Sequence, residues 1–498
     1  MHSPTLLLAA AAATTTNILA AALPADGSLS SPVGAFSVAR PGTVADVVVT
    51  QKNTLNGSYH DSQTKIVHAA PLARAVAVAD DVVLTPRRTL NGSDDDSRTE
   101  VVHAARLTRA VSVAVKRPTY LPIDFVNNFA GGAVNAYITG LDLNNRVVFV
   151  DRNGALVYPS SGGSATPVPI KAKVAIPMPA RGKRLRMYLT IPLLSGRVYF
   201  ARGNLDFFMV RTASGDGLVQ PSPTNLRDPS AGVNWGFVEL TYTRYWALFA
   251  NISYVDFVGF LLSIGLSVKD GRGRQLTKGL GAGSVSKICG GLLQQQSRDR
   301  YPWARLCVAD ATGTPIRVLS PNNYAVLRPN DFEGYWNAYV DQVWARYAKA
   351  PLTVNTQSAA GKVKCQLSGR LLVCAGDRRG FEKPTAKDIW GCNSGPFARR
   401  ADDSAVRLAV IPRLCAAFVR STLLLAGGNV QPAVAASRYY TVNPTSHYSR
   451  LIHHYELDGK GYAFPYDDVN PDGSEDASGT VASQAPDVLT VYIGAPPS

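Results

Sequence analysis

The chain has 498 residues, 46% of them hydrophobic, and a net charge of +15, enough apolar material for one large or two medium cores. The charge is diffuse, with no block of five like charges and no basic-aromatic repeat, so nucleic acid is not an expected partner. A basic solvated surface is the main reading and attraction to anionic cell-wall material the lesser one.

The N-terminus, MHSPTLLLAAAAATTTNILAAALPADG, carries an apolar run from Leu6 to Ala13 and small residues Ala20, Ala21 and Ala22 before Leu23 and Pro24. This pattern predicts a secretory signal over 1–22, with His2 as its only basic side chain, and hence a secreted protein of the extracellular space or cell wall. No later run reaches about 18 uninterrupted apolar residues, so no membrane association is expected after signal removal.

An internal repeat follows at a 35-residue offset: DVVVTQKNTLNGSYHDSQTKIVHAAPLARAVAVA (46–79) matches DVVLTPRRTLNGSDDDSRTEVVHAARLTRAVSVA (81–114). Two copies are too few for a self-supporting solenoid. The segment 23–118 has no Cys or Trp, and reads as a low-order leader or spacer. A wall-binding role is the lesser reading. Asn56, Asn91 and Asn251 begin glycosylation sequons.

From Thr119 the texture changes. NAYITGLDL, RVVFVD, RMYLTIP, GRVYFARG and LDFFMVR are short apolar strands set apart by Asn, Gly and Pro. Helical signals come later. In DFEGYWNAYVDQVWARYAKA, Trp336, Tyr339, Val340, Val343, Trp344 and Tyr347 share one face, a core stripe, with Asn330 and Glu333 as the expected cap. RLCAAFVRSTLLLAGG and SHYSRLIHHYELDG are two further expected helices. The fold class is therefore mainly β with α/β: a β-barrel or sandwich domain, then a mixed α/β domain, over 119–498. Cys289, Cys307, Cys365, Cys374, Cys392 and Cys415 lack zinc-like spacing and point to disulfides. Pairing of order-neighbours is the simplest of the 15 connectivities. Cys365 and Cys374, bracketing the hairpin QLSGRLLV, are the best-supported pair.

One stretch raises a chemical question. WGFVELTYTRYWALFANISYVDFV (235–258) holds two strand-like runs, each with a single acid, Glu239 and Asp256. Burying a lone carboxylate is costly unless it is paired. Alternation puts Phe237, Glu239, Thr241 and Thr243 on one face, and Ile252, Tyr254 and Asp256 on one face of the return strand. A turn centred between Ala247 and Leu248 would set Glu239 directly across from Asp256, and Thr241 across from Tyr254. Two converging carboxyl groups suit glycoside hydrolysis, where one protonates the leaving oxygen while the other activates water or attacks carbon. Thr241 and Thr243 would then hydrogen-bond sugar hydroxyls. Spacing alone favours the plainer reading, a hairpin with two solvent-facing acids.

The hairpin resembles that of glycoside hydrolase family 64, the endo-β-1,3-glucanases that release laminaripentaose. The likeness runs over roughly 119–498, through LSGRVYFARGNLDFFM, GLVQPSPTNLRDPS, YWNAYVDQVWARY, DIWGCNSGPF, RLCAAFVRSTLL and SHYSRLIHHYELDGKGYAFPYDDV. It implies a wide cleft between a β-barrel domain and a mixed α/β domain, of thaumatin-like architecture. It also implies an inverting reaction with Glu239 as general acid and Asp256 as general base, yielding short laminari-oligosaccharides. Thr241 and Thr243 fall on sugar-contacting positions, the second commonly Asn in the family. Phe249 stands where bacterial members have a subsite Trp, and Ser253 where they have Thr. The interval between the two acids is one residue longer here. Asp467 and Asp468 match a family DDV, which reads either as groove-lining acids or as structural acids capping a strand end, and Cys392 and Cys415 match a family pair. The implied partner is a β-1,3-glucan chain, met by a monomer with no cofactor.

Other motifs carry less. His453, His454 and Glu456 lack a third well-spaced ligand, so no metal is expected. Asp206 and Asp228 read as turn or cap residues. The competing function is a non-catalytic glucan-binding or antifungal protein of thaumatin-like shape.

Overall fold

The computed structural model describes residues 37–38, 120–269, 273–472 and 476–497. The signal-like segment, both repeats and the sequons at Asn56 and Asn91 lie outside the described residues. Alternation of β-branched and aromatic residues with polar ones builds the strands of five sheets among the described residues, of which the two largest position the site. The first has eight strands, ordered Val481–Ser483, Leu248–Ile252, Trp235–Tyr242, Leu193–Arg202, Val134–Leu141, Val147–Val150 and Leu156–Val157, with Ile176–Pro177 also paired to Val134–Leu141. The second has five, ordered Arg274–Thr277, Leu262–Val268, Pro486–Ile493, Leu121–Asn127 and Arg184–Leu189.

Parity decides which residues fill the space between the sheets. Val198, Phe200, Val238, Leu240 and Ile252 of the first sheet are buried, as are Ile123, Phe125, Ile264, Leu489 and Val491 of the second. Phe125 meets Phe200 at 5.7 Å between ring centroids. The alternate residues of the first sheet, Arg197, Glu239, Thr241, Phe249 and Asn251, therefore project from its other face. This outward face is where chemistry can reach solvent.

A helix-bearing part follows, from Ser284 to Tyr455. The aromatic stripe is core: Tyr339, Val340, Val343, Trp344 and Tyr347 are buried on the helix Asn337–Lys349. The expected cap at Asn330 and Glu333 is corrected. That stretch forms a turn, with Glu333 N–H donating to Asn330 O at 3.2 Å, and the helix starts at Asn337. The expected helix over 413–428 instead spans Ala405–Val419, capped by Ser404. It stops where Arg420 commits its buried guanidinium to Asp467. The third expected helix is His447–Tyr455, capped by Ser446. Disulfides join Cys289 to Cys307, Cys365 to Cys374 and Cys392 to Cys415, the order-neighbour pattern. Among the described residues, no helix is long and apolar enough to cross a membrane.

Candidate active site

Glu239 lies mid-strand on the outward face of the eight-stranded sheet, but its partner across the hairpin is Asn251, and Thr241 faces Phe249. The expected pairing with Asp256 is corrected, because the turn is centred earlier. Thr243 organises it: its Oγ1 accepts from Tyr245 N–H at 3.3 Å and Ala247 N–H at 3.1 Å, while Trp246 takes a left-handed conformation. The turn therefore uses the Thr243 oxygen, suggested by the sequence for sugar contact, as an acceptor for two backbone N–H groups.

The return strand ends at Ile252, and Asp256 arrives by a different route. Ser253 forms a parallel bridge with Tyr462, and Tyr254 N–H donates to Tyr462 O at 2.8 Å. Tyr448 Oη donates to Tyr254 O at 2.5 Å. Asp256 O then accepts from Ser320 N–H at 2.9 Å and Asn323 Nδ2 at 2.8 Å. The segment bearing Asp256 is thus clamped by the helical part, at the seam with the sheet.

Both carboxylates nevertheless meet at one cation. Arg197, directly opposite Glu239 on the neighbouring strand Leu193–Arg202, places Nη2 3.0 Å from Glu239 Oε1 and 3.9 Å from Asp256 Oδ2. Glu239 keeps 18% of its side chain exposed and Asp256 11%, so the acids are sheltered without being sealed. Burial pushes the Asp256 carboxyl up to about 6, the charge of Glu239 adding to the rise and Arg197 opposing it. Asp256 Oδ1, Ser253 Oγ and Asn251 Oδ1 are buried with no hydrogen-bond partner among the described residues. Buried polar atoms without a protein partner are places where water binds.

The remaining residues named from sequence separate into two groups. Thr241, Phe249 and Ser253 accompany the acids on or beside the outward face. Asp467 does not: it is 0% exposed, and its groove-lining assignment is corrected. Its Oδ1 accepts from Arg420 and its Oδ2 from His453 and Ala463 N–H, each at 2.9 Å. His453 also contacts Glu456 at 2.8 Å, so that histidine serves a buried ion network. Asp468 accepts from Tyr462 Oη at 2.9 Å, and burial raises its carboxyl to about 7. Asp228 accepts from Ser222 and Ser230 N–H groups, a turn role.

Arg197 was not singled out from the sequence. It sits in GRVYFARG, a strand otherwise read for its apolar residues. A charge in the middle of such a strand carries the same signal as the lone acids: it needs a buried partner.

Comparison with known proteins identifies the family. The model of the β-1,3-glucanases of glycoside hydrolase family 64 matches residues 119–493. Glucan endo-1,3-β-glucosidases of Arthrobacter sp. (strain YCWD3) and Cellulosimicrobium cellulans are each 28% identical over 71% of this chain. The chain spans 62% of the length of those curated relatives. A laminaripentaose-producing β-1,3-glucanase, solved in complex with laminaritetraose, aligns with a TM-score of 0.64 and 28% identity, covering 76% of this chain and 99% of that one. A β-1,3-glucanase domain from Clostridium beijerinckii, 19% identical with a TM-score of 0.58 over 76% of this chain and 98% of its own, shares the fold.

Proposed function

The chain belongs to the β-1,3-glucanases of glycoside hydrolase family 64, and from that premise we propose that it is a secreted endo-β-1,3-glucanase using Glu239 as acid and Asp256 as base. The observation that carries this reading is the convergence of both carboxylates on Arg197. They come from different elements, one a sheet strand and one the clamped seam, and share a partly open site.

The reaction is a single displacement. Glu239 delivers a proton from Oε2 to the glycosidic oxygen as the bond from that oxygen to C1 breaks. Asp256 takes a proton from a water whose oxygen bonds to C1 on the opposite side, so the new reducing end is the α-anomer. The raised pKa of Asp256 suits this duty, since a stronger base accepts the water proton more readily. Asn251 and Ser253, with unpartnered oxygens beside the acids, are the groups available to hold water or sugar hydroxyls. Thr241 and Phe249 extend the same face for a glucan chain. Three disulfides suit an oxidising, extracellular setting.

Incubation with laminarin or curdlan tests the reading. The native chain is expected to release soluble laminari-oligosaccharides with the α-anomer first by proton NMR, and Glu239→Gln none. A fully active Glu239→Gln variant removes the acid assignment. Glucan retention without hydrolysis replaces the enzyme with a binding protein.

A further inference from the structure

We infer that Arg197 is a positioning residue for this hydrolysis: its locked guanidinium spaces Glu239 from Asp256 and selects the Glu239 oxygen that faces the sugar. The inference rests on the reading of the two acids given above.

The guanidinium is fixed before it touches either acid. Nη1 donates to Gln220 Oε1 at 3.0 Å, and Gln220 is itself bonded by Tyr199 Oη. The Phe237 ring lies 4.4 Å from the guanidinium carbon. An arginine stacked on a ring and tied at one end has little freedom left at the other.

The remaining N–H groups serve the carboxylates. Nε at 3.3 Å and Nη2 at 3.0 Å both donate to Glu239 Oε1. Oε2 has no hydrogen-bond partner among the described residues, so it is the oxygen left to carry a transferable proton. The same Nη2 faces Asp256 Oδ2 at 3.9 Å, an ion-pair contact longer than a hydrogen bond, while Oδ1 is buried without a hydrogen-bond partner among the described residues. One fork thus holds Glu239 by two hydrogen bonds to a single oxygen and meets Asp256 through charge.

The cation also sets the charge balance. Asp256 is faced by Arg197, Glu239 and Tyr199 from the sheet, and by Asn323 and Tyr448 from the helical part. Arg197 is the fixed positive charge of that set. Without it, two neighbouring carboxyl groups repel and Asp256 holds its proton to higher pH.

Arg197→Met and Arg197→Lys in the full chain test this, with kcat and KM on laminarin measured across pH. The Met variant is expected to lose ~100-fold in kcat with KM within ~3-fold of native, and its acid limb moves to higher pH. The Lys variant should restore the limb but only part of kcat, because an ammonium supplies the charge without the fork. A Met variant with native kcat and limb overturns the inference. So does a raised KM with kcat intact, which would make Arg197 a sugar contact. Should the Met variant fail to fold, a Lys variant indistinguishable from native overturns it equally. Glu239→Gln in the same assay separates the two levels. Full activity there removes the reading of the site, whereas inactivity beside a native-like Arg197→Met removes only the positioning role.

Discussion

Gly259 presses so closely on Trp235 that a Cβ added there would stand 2.1 Å from the Trp235 carbonyl oxygen. That oxygen accepts from Phe260 N–H at 2.9 Å. The contact returns the chain to the sheet three residues after Asp256, and so fixes how far the seam sits from Glu239.

Gly259→Ala is therefore expected to push residues 257–260 off the strand. Backbone against backbone cannot be relieved by a rotamer change, and overpacking of this kind costs about 1–3 kcal/mol. Thermal unfolding should show the loss. Activity on laminarin should fall further than stability, since Asp256 moves with the displaced segment. A variant with native melting and native kcat would show that the seam tolerates the added methyl.

Asp256 makes a signed prediction on pH. Burial raises its folded carboxyl to about 6, above the ordinary value near 3.9. The folded protein therefore binds the proton more tightly than the unfolded chain. This group's contribution to stability is full below about pH 4 and is lost as pH rises through about 6. Asp256→Asn should abolish hydrolysis yet stabilise the fold at pH 7–8 by up to about 3 kcal/mol, with little gain at pH 4. Native activity should fall on acidification through about pH 6 as the base takes up its proton. Activity that instead falls as pH rises through that range would exchange the roles of the two acids.

Asp467 is expected to act through stability alone. It is wholly buried between Arg420 and His453, and removing one member of a buried ion pair costs about 3–5 kcal/mol. Asp467→Ala should lower the melting temperature sharply, while the fraction that remains folded keeps a native KM for glucan. A raised KM in well-folded Asp467→Ala protein would return the residue to the groove.

Much of the fold was legible because its signals are local. Alternation identified the strands and placed Glu239 with Thr241 on one face, since the side-chain period of a strand is 2 whatever it pairs with. Helical spacing marked Tyr339, Val340, Val343, Trp344 and Tyr347 as core. Cysteine order suggested the disulfide pattern. Helix boundaries were less legible: the Asn330 cap lost to a turn, and the end of Ala405–Val419 depends on Arg420 reaching Asp467.

The sequence by itself determined that two lone acids stand 17 positions apart in apolar stretches, and that such acids need a partner. Only the tertiary structure decided what that partner is. The Thr243 turn shifted the hairpin register, so Asn251 took the position opposite Glu239. Tyr462, Ser320 and Asn323, all distant in sequence, bent the chain to bring Asp256 to the site. Arg197, 42 residues before Glu239, supplied the shared charge. Periodicity follows from the geometry of one strand, whereas register and the meeting of charges follow from packing between segments far apart in the chain.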